Sequence, residues 1–182
     1  MVTLIGMGSG KWEALSAQAQ QAVRSAGLVF GAKRLLAGLP ADCTARQFAL
    51  YQPADILETL AQAPGQDAAV LYSGDTGWYA GASGLRTPLR ALGIPARVYP
   101  GVSSIQLLSA ALGRPWQDWK LVSAHGCACD PVAECMMNRS VYFLTGGTET
   151  PASLCQKLTD AGMGEAHGVV GENLGTEAEA IR

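Results

Sequence analysis

At 182 residues, with 48% hydrophobic positions, 22 Gly and 9 Pro, the chain is long enough for one or two small domains with a real core. A formal net charge of −2 with no long run of Lys or Arg excludes the basic stripe of a non-specific nucleic-acid binder, and no apolar run approaches the ~18 residues of a membrane span. The five cysteines are an odd number, which fits reduced thiols in a cytoplasm better than a disulfide framework.

The chain alternates β and α elements. Residues 2–5 read as a first strand rather than a signal peptide, because MVTLIGMGSG has neither a charged n-region nor a small-residue cleavage site. Ser16 is a candidate cap for a helix with Ala19, Ala22, Val23 and Ala26 on one face. Residues 28–30 form a second strand, broken by Gly31 before Lys33, Arg34, Leu35 and Leu36. Pro53 opens a helix with Ile56, Leu57, Leu60 and Ala61 inward. Residues 68–72 form the next strand. Residues 80–92 read as helical and stop at Gly93. A short strand at 97–99 precedes Pro100 and Gly101, and Ser103 or Ser104 caps a helix through Leu107, Leu108, Ala111 and Leu112. This βαβα order predicts a mostly parallel sheet with helices on its faces.

Residues 1–114 are assigned to this first α/β domain and residues 115–182 to a second, smaller one. The second has strands at 119–123 and 141–144, the latter running into Thr145, Gly146 and Gly147. Thr150 caps a helix with Pro151 at its first position, Leu154, Leu158 and Ala161 inward, and Gly162 at its end. Val169 and Val170 read as a last strand before Gly171, Glu172 and Asn173. With no long linker, the two domains are expected to pack closely and share a cleft.

The most informative stretch is VLYSGDTGWYAG, residues 70–81. A strand that ends in Gly-Asp-x-Gly offers a ligand bare backbone beside a fixed carboxylate, at the end of the sheet where open α/β folds bind ligands. The N-terminal glycines fail two other readings. A dinucleotide fingerprint needs Gly at position 11, where the chain has Lys11, and the expected ribose-binding acid is missing after Phe30. A P-loop needs Gly at position 5 and Ser or Thr at position 12, where Ile5 and Trp12 stand. A tight turn with room for a ligand remains.

Four segments in order, GMGSG, SGDTGWYAG, YPGVSSIQLLSAALGRPWQDWKLVSAHG and GENLGT, together resemble the tetrapyrrole (corrin/porphyrin) methyltransferase family, in wording its precorrin C5-methylating branch. The resemblance covers nearly the whole chain. It implies a two-domain α/β tetrapyrrole methylase fold with S-adenosylmethionine (SAM) in the cleft between the domains. The implied activity is C-methylation at C5 of a precorrin or cobalt-precorrin in cobalamin biosynthesis. The implied SAM contacts are Gly74, Asp75, Ser103, Ser104, Thr145, Gly146, Gly171, Glu172 and Asn173, while the first glycine turn, with Gly8 and Ser9, lines the tetrapyrrole side. The family also implies a homodimer, and a separate or fused partner for C15 methylation and decarboxylation. Relatives continue past GENLGT by about one more β-hairpin, so the resemblance implies either a shortened sequence or a member with a trimmed C-terminal edge.

The chemistry needs little from the protein beyond placement. A sulfonium methyl requires an electron-rich carbon in line with its C–S bond, and holding the reactants about 3 to 3.5 Å apart supplies much of the rate. Asp75 suits an acceptor that orients SAM better than a base. Lys33, Arg34 and Arg86 are candidates for substrate carboxylates, with Lys11 as a fourth, or are solvated surface charges. His125 is either a proton acceptor for the methylated intermediate or a histidine bonded to nearby backbone. The family has Arg after this His-Gly pair, where the chain has Cys127. Cys127, Cys129 and Cys135 lack the paired Cys-x-x-Cys spacing of a zinc site and are read as loop thiols, with no metal assigned. Trp78 and Tyr79 either stack on a flat macrocycle or fill the core under the loop. The alternative functions are a same-fold methyltransferase of diphthamide or ribosomal RNA ribose, and a non-catalytic corrinoid- or SAM-binding subunit.

Overall fold

β1 (Val2–Gly6) and β4 (Ala68–Tyr72) are buried at every residue in the computed structural model, which describes residues 1–79 and 81–182. Strands apolar on both faces belong in the middle of a parallel sheet covered by helices, and both lie there. The sheet has the order β3-β2-β4-β1-β5, with β2 at Leu28–Phe30, β3 at Arg46–Phe48 and β5 at Ala96–Tyr99, and every pairing in it is parallel. These elements belong to the first of two compact units, Met1–Ser104 and Ile105–Arg182.

The period-2 alternation of the strands sends side chains to two cores. On one face, Val2, Leu4, Phe30 and Val70 pack with Ile56 and Leu60 of α3 (Pro53–Ala61) and with Leu85 and Leu89 of α4 (Ala82–Ala91). On the other, Ile5, Val29 and Leu71 pack with Ala19 and Val23 of α1 (Ala17–Ser25) and with Leu35 of α2 (Lys33–Leu36). Each fully buried Leu or Phe contributes about 1.5 to 3 kcal/mol of transfer free energy. Ser16 caps α1 as expected, accepting from the Ala19 N–H at 3.2 Å. Ala61 is exposed rather than inward, because α3 buries only a two-residue stripe, Ile56 and Leu60. The helical reading of 80–92 begins at Ala80, outside the described residues.

In the second unit, α5 (Ser104–Leu112) buries Ile105 and Leu108. β6 (Lys120–His125) and β7 (Val141–Gly146) pair in parallel from Lys120↔Val141 to His125↔Gly146. A parallel pair needs a crossover, and α6 (Pro131–Met137) supplies it. The sequence reading missed α6, although Asp130 accepts from the N–H groups of Val132 and Ala133 and Pro131 occupies the first turn. The strand runs two residues past the expected end at 144, so Thr145 and Gly146 belong to it. α7 (Pro151–Asp160) starts with a reciprocal Thr150–Ser153 capping box and buries Leu154; Ala161, expected inward, is its exposed C-cap. The last strand is displaced from Val169 and Val170. β8 is Gly171–Glu172, paired antiparallel with β9 (Ala180–Ile181), and Val170 exchanges both backbone hydrogen bonds with Arg182. Among the described residues no helix is long and apolar enough to cross a membrane.

Candidate functional site

The two central strands lead in opposite directions. After β1 the chain turns to α1 on one face of the sheet, and after β4 it turns to α4 on the other. Adjacent parallel strands whose connections diverge in this way open a crevice beyond their carboxyl ends. Glycines stand at that point on three strands: Gly6 ends β1, Gly74 follows β4 and Gly101 follows β5. A Cβ on Gly6 would lie 2.5 Å from the Gly101 N, and one on Gly101 would lie 2.2 Å from the Gly74 carbonyl oxygen. The three backbones touch directly, which no other residue type permits.

Asp75 ties this junction together. Its Oδ1 accepts from the Gly101 N–H at 3.3 Å and its Oδ2 from the Gly77 N–H at 3.0 Å. Gly8 and Gly74 satisfy each other, Gly8 N–H donating to Gly74 O at 3.1 Å and Gly74 N–H donating to Gly8 O at 2.9 Å. The Thr76 hydroxyl donates to the Tyr99 carbonyl at 3.5 Å. Sequence reasoning singled out Gly74, Asp75 and Gly8 but missed Gly6 and Gly101 as their partners; the available signal was a glycine at or two residues past each of three strand ends. Ser103 is buried and Ser104 half-buried at the start of α5.

The cationic candidates divide. Arg34 reaches back to the junction: its guanidinium donates to the Ser73 hydroxyl and sits where a Cβ on Gly10 would come within 3.5 Å. It makes no ion pair among the described residues. Lys33 is exposed and Ser9 half-buried. Arg86 lies elsewhere, lining a pocket of about 470 Å³ with Thr76, Tyr79, Ser83 and Val98. Tyr79 is 62% exposed with φ at 47° and packs edge-on against Trp78 at 5.3 Å, so it does not fill the core. Tyr72, at the end of β4, is buried, and its phenol is pushed up to about 12 by loss of solvation.

In the second unit the candidates gather at the ends of β6 and β7. The His125 Nδ1 lies 3.3 Å from the Thr145 carbonyl oxygen, and its ring fills the space that a side chain on Gly146 would occupy. Gly146 donates to the Glu149 carbonyl at 2.9 Å and accepts from the Gly126 N–H at 3.3 Å. Lys157 donates to the Glu149 carboxylate, which holds that carboxyl below its ordinary range, with Ser153 assisting. Gly171, Glu172 and Asn173 form the turn into the C-terminal hairpin: Glu172 pairs with Arg182 at 3.4 Å, and Asn173 has a φ of 50°. The Cys127 Sγ contacts the Ser123 carbonyl at 3.2 Å, Cys135 lies on α6, and burial pushes the Cys129 and Cys135 thiols up. Among the described residues no three His, Cys, Asp or Glu side chains converge as metal ligands would.

A family model described as Tetrapyrrole (Corrin/Porphyrin) Methylases matches residues 1–182. The chain belongs to this family. It is 32% identical over 183 residues to the cobalt-precorrin-7 C(5)-methyltransferase of Salmonella typhimurium, covering 100% of this chain and 89% of that protein. Among solved structures, it matches the precorrin-6Y methylase of Archaeoglobus fulgidus with a TM-score of 0.72 at 22% identity, covering 100% of this chain and 88% of that one. It also matches the uroporphyrin-III C-methyltransferase of Thermus thermophilus complexed with S-adenosylhomocysteine, with a TM-score of 0.74 at 20% identity, covering 100% and 81% respectively. The fold is therefore that of the tetrapyrrole methylases, and the Gly6–Gly74–Gly101 junction is a feature of this chain's version of it.

Proposed function

We propose that the chain is a SAM-dependent C-methyltransferase that methylates C5 of a precorrin-type tetrapyrrole in cobalamin biosynthesis. The observation that carries this reading is family membership along the entire chain, together with identity to a C5-methyltransferase of nearly the same length. The residues at the first sheet fit the cofactor. Gly74 has a φ of 66°, and nothing approaches a Cβ built on it closer than the Ser103 Cα at 3.9 Å, so a ligand meets open space above the loop. Bound SAM supplies an electrophilic methyl group on a sulfonium.

Gly74, Asp75, Ser103 and Ser104 are the proposed SAM contacts of the first unit, and Thr145, Gly146, Gly171, Glu172 and Asn173 those of the second. Asp75 acts chiefly as a positioning residue, because both of its oxygens accept backbone N–H groups that fix the loops after β4 and β5. Arg34, Lys33 and the Gly8–Ser9 turn are the proposed recognition surface for the acetate and propionate arms of the ring. Arg34 fits this role best, since its planar fork binds carboxylates in bidentate fashion and no acid among the described residues pairs with it. Arg86 and Tyr79 are proposed as a further substrate contact through the pocket they line with Thr76 and Gly77 of the Gly-Asp loop.

The five free cysteines support a cytoplasmic protein with reduced thiols. A homodimer, and a partner enzyme that methylates C15 and removes a carboxyl group, complete the proposal. The test is turnover: the purified chain, SAM and a reduced precorrin should give stoichiometric S-adenosylhomocysteine and a tetrapyrrole heavier by one CH₂. Cofactor binding without any methylated product from precorrin substrates would overturn the assignment.

A further inference from the structure

We propose that Thr145 and Gly146 form a seat that locks His125 in one tautomer, with Nε2 left as the base that takes the meso-carbon proton after methylation. The inference rests on the methyltransferase reading above and assigns the acid–base step of that reaction.

The seat is built from the β6–β7 register, which sets His125 opposite Gly146 at the last rung of the ladder. The Nδ1 of His125 faces the Thr145 carbonyl oxygen at 3.3 Å. A carbonyl can only accept, so Nδ1 carries the proton, and in the neutral ring Nε2 holds the lone pair. Among the described residues Nε2 has no hydrogen-bond partner. Beneath the ring, a Cβ on Gly146 would lie 1.9 Å from Nδ1 and 2.5 Å from Cε1, so a side chain there would push the ring out of this position. Gly146 also has a φ of 155°, in the region that favours glycine. The turn beneath it is pinned, with Gly146 bonded to Glu149 and Gly126 through its own backbone.

This is an unusual expenditure of backbone on a side chain that stays exposed. A histidine kept for stability would be buried or would use both nitrogens. Here the strand end accommodates the ring, one nitrogen is fixed and the other is open. Specialised backbone of this kind around an exposed group is what functional sites require.

The reaction releases one proton, and such a base gives it a defined acceptor. When the meso carbon takes the methyl group, its enamine electron pair forms the new C–C bond, and the C–S pair remains on sulfur as a neutral thioether. The ring is then cationic, with hydrogen and methyl on the same carbon. Transfer of that hydrogen as a proton to Nε2 restores the neutral conjugated ring, and the exposed imidazolium returns the proton to water. No oxidant or reductant is involved.

The test has one arm without substrate. Long-range ¹H–¹⁵N spectra of the histidine-labelled protein at mildly alkaline pH should show one imidazole protonated at Nδ1 and bare at Nε2, lost in His125→Asn and so assigned to His125. Gly146→Ala should return that ring to a mixture of tautomers. An Nε2-protonated His125 in the wild type overturns the seat, whether or not the protein turns over. The second arm is kinetic. Asn places its amide N–H near the position of Nδ1 and keeps the Thr145 bond while removing the base. His125→Asn should therefore lose about 10² to 10⁴ in kcat with KM and SAM affinity unchanged, and should show a primary isotope effect with substrate deuterated at the meso carbon. A loss of less than about tenfold, with the tautomer as expected, overturns the base assignment. A wild type that binds SAM yet methylates no precorrin indicts the functional reading, while the spectra still decide the seat.

Discussion

Gly101→Ala tests the glycine junction most sharply. The new Cβ would lie 2.2 Å from the Gly74 carbonyl oxygen and 2.6 Å from the Gly6 carbonyl group, all backbone atoms that cannot rotate away. The loops after β4 and β5 must part by about 1 Å, and overpacking of this kind costs about 1 to 3 kcal/mol. The same movement stretches the Gly101 N–H···Asp75 hydrogen bond, already 3.3 Å long. A charged hydrogen bond of this type contributes about 1.5 to 3 kcal/mol, less here because Asp75 is only half-buried, so the combined loss is about 2 to 4 kcal/mol. Urea denaturation should register it as a midpoint lower by about 1 to 2 M. Calorimetry should show SAM binding weakened at least about tenfold, because the displaced loops carry the proposed contacts. Gly84→Ala is the internal control: that residue is helical, and a Cβ there meets only the Pro53 Cγ, at 3.5 Å. It should stabilise by about 0.5 to 1 kcal/mol. A Gly101→Ala protein with wild-type midpoint and wild-type SAM affinity would refute the close-approach reasoning.

Three further outcomes are expected. Tyr72 keeps its phenol neutral to about 12 when folded, above the ordinary 10 of the unfolded chain. Its contribution is thus fully present below pH 10 and is lost as pH rises towards 12; the free energy of unfolding should fall over that window by about 1 to 2 kcal/mol after allowance for solvent screening, and Tyr72→Phe should flatten the limb. Thr150→Ala removes the cap of α7 and should cost about 1 kcal/mol in chemical denaturation, leaving SAM binding to the native fraction unchanged. Arg34→Leu should raise KM for the tetrapyrrole about tenfold or more with kcat and SAM affinity held, as expected when a carboxylate contact common to ground and transition states is removed.

The parts of the fold that could be read from sequence are those whose signals are local. Ser16 and Thr150 announce their helices because an N-cap acts within three residues, and the short, largely apolar runs of β1 and β4 mark strands, while their central place in the sheet comes from the pairing. β3 was illegible because Arg46, Gln47 and Phe48 carry little β signal; the segment is a strand only because the edge of β2 offers it hydrogen bonds. α6 has a clear Asp-Pro start, but its helix is only seven residues long and follows a cysteine-rich segment with the composition of a loop. Val169 and Val170 look like a strand by composition, but the C-terminal pairing sets the register one or two residues later.

The candidate site was legible by type and not by connectivity. A Gly-Asp-x-Gly loop after a strand is visible in the chain. That Asp75 spends its carboxylate on Gly101, 26 residues away, depends on β1 lying between β4 and β5, which no local pattern states. Arg34 could be offered only as one cation among several until the sheet order brought it to Ser73, 39 residues on. No local pattern links His125 to Gly146, 21 residues on. The parallel register of β6 and β7 makes them neighbours.

The most direct measurement uses SAM carrying a carbon-13 methyl group, a reduced precorrin and the purified wild-type chain, followed by NMR of the isolated tetrapyrrole. One enriched methyl bonded to C5 is expected, with none at C15. Label at any other ring carbon, or on a heteroatom, would contradict the assignment.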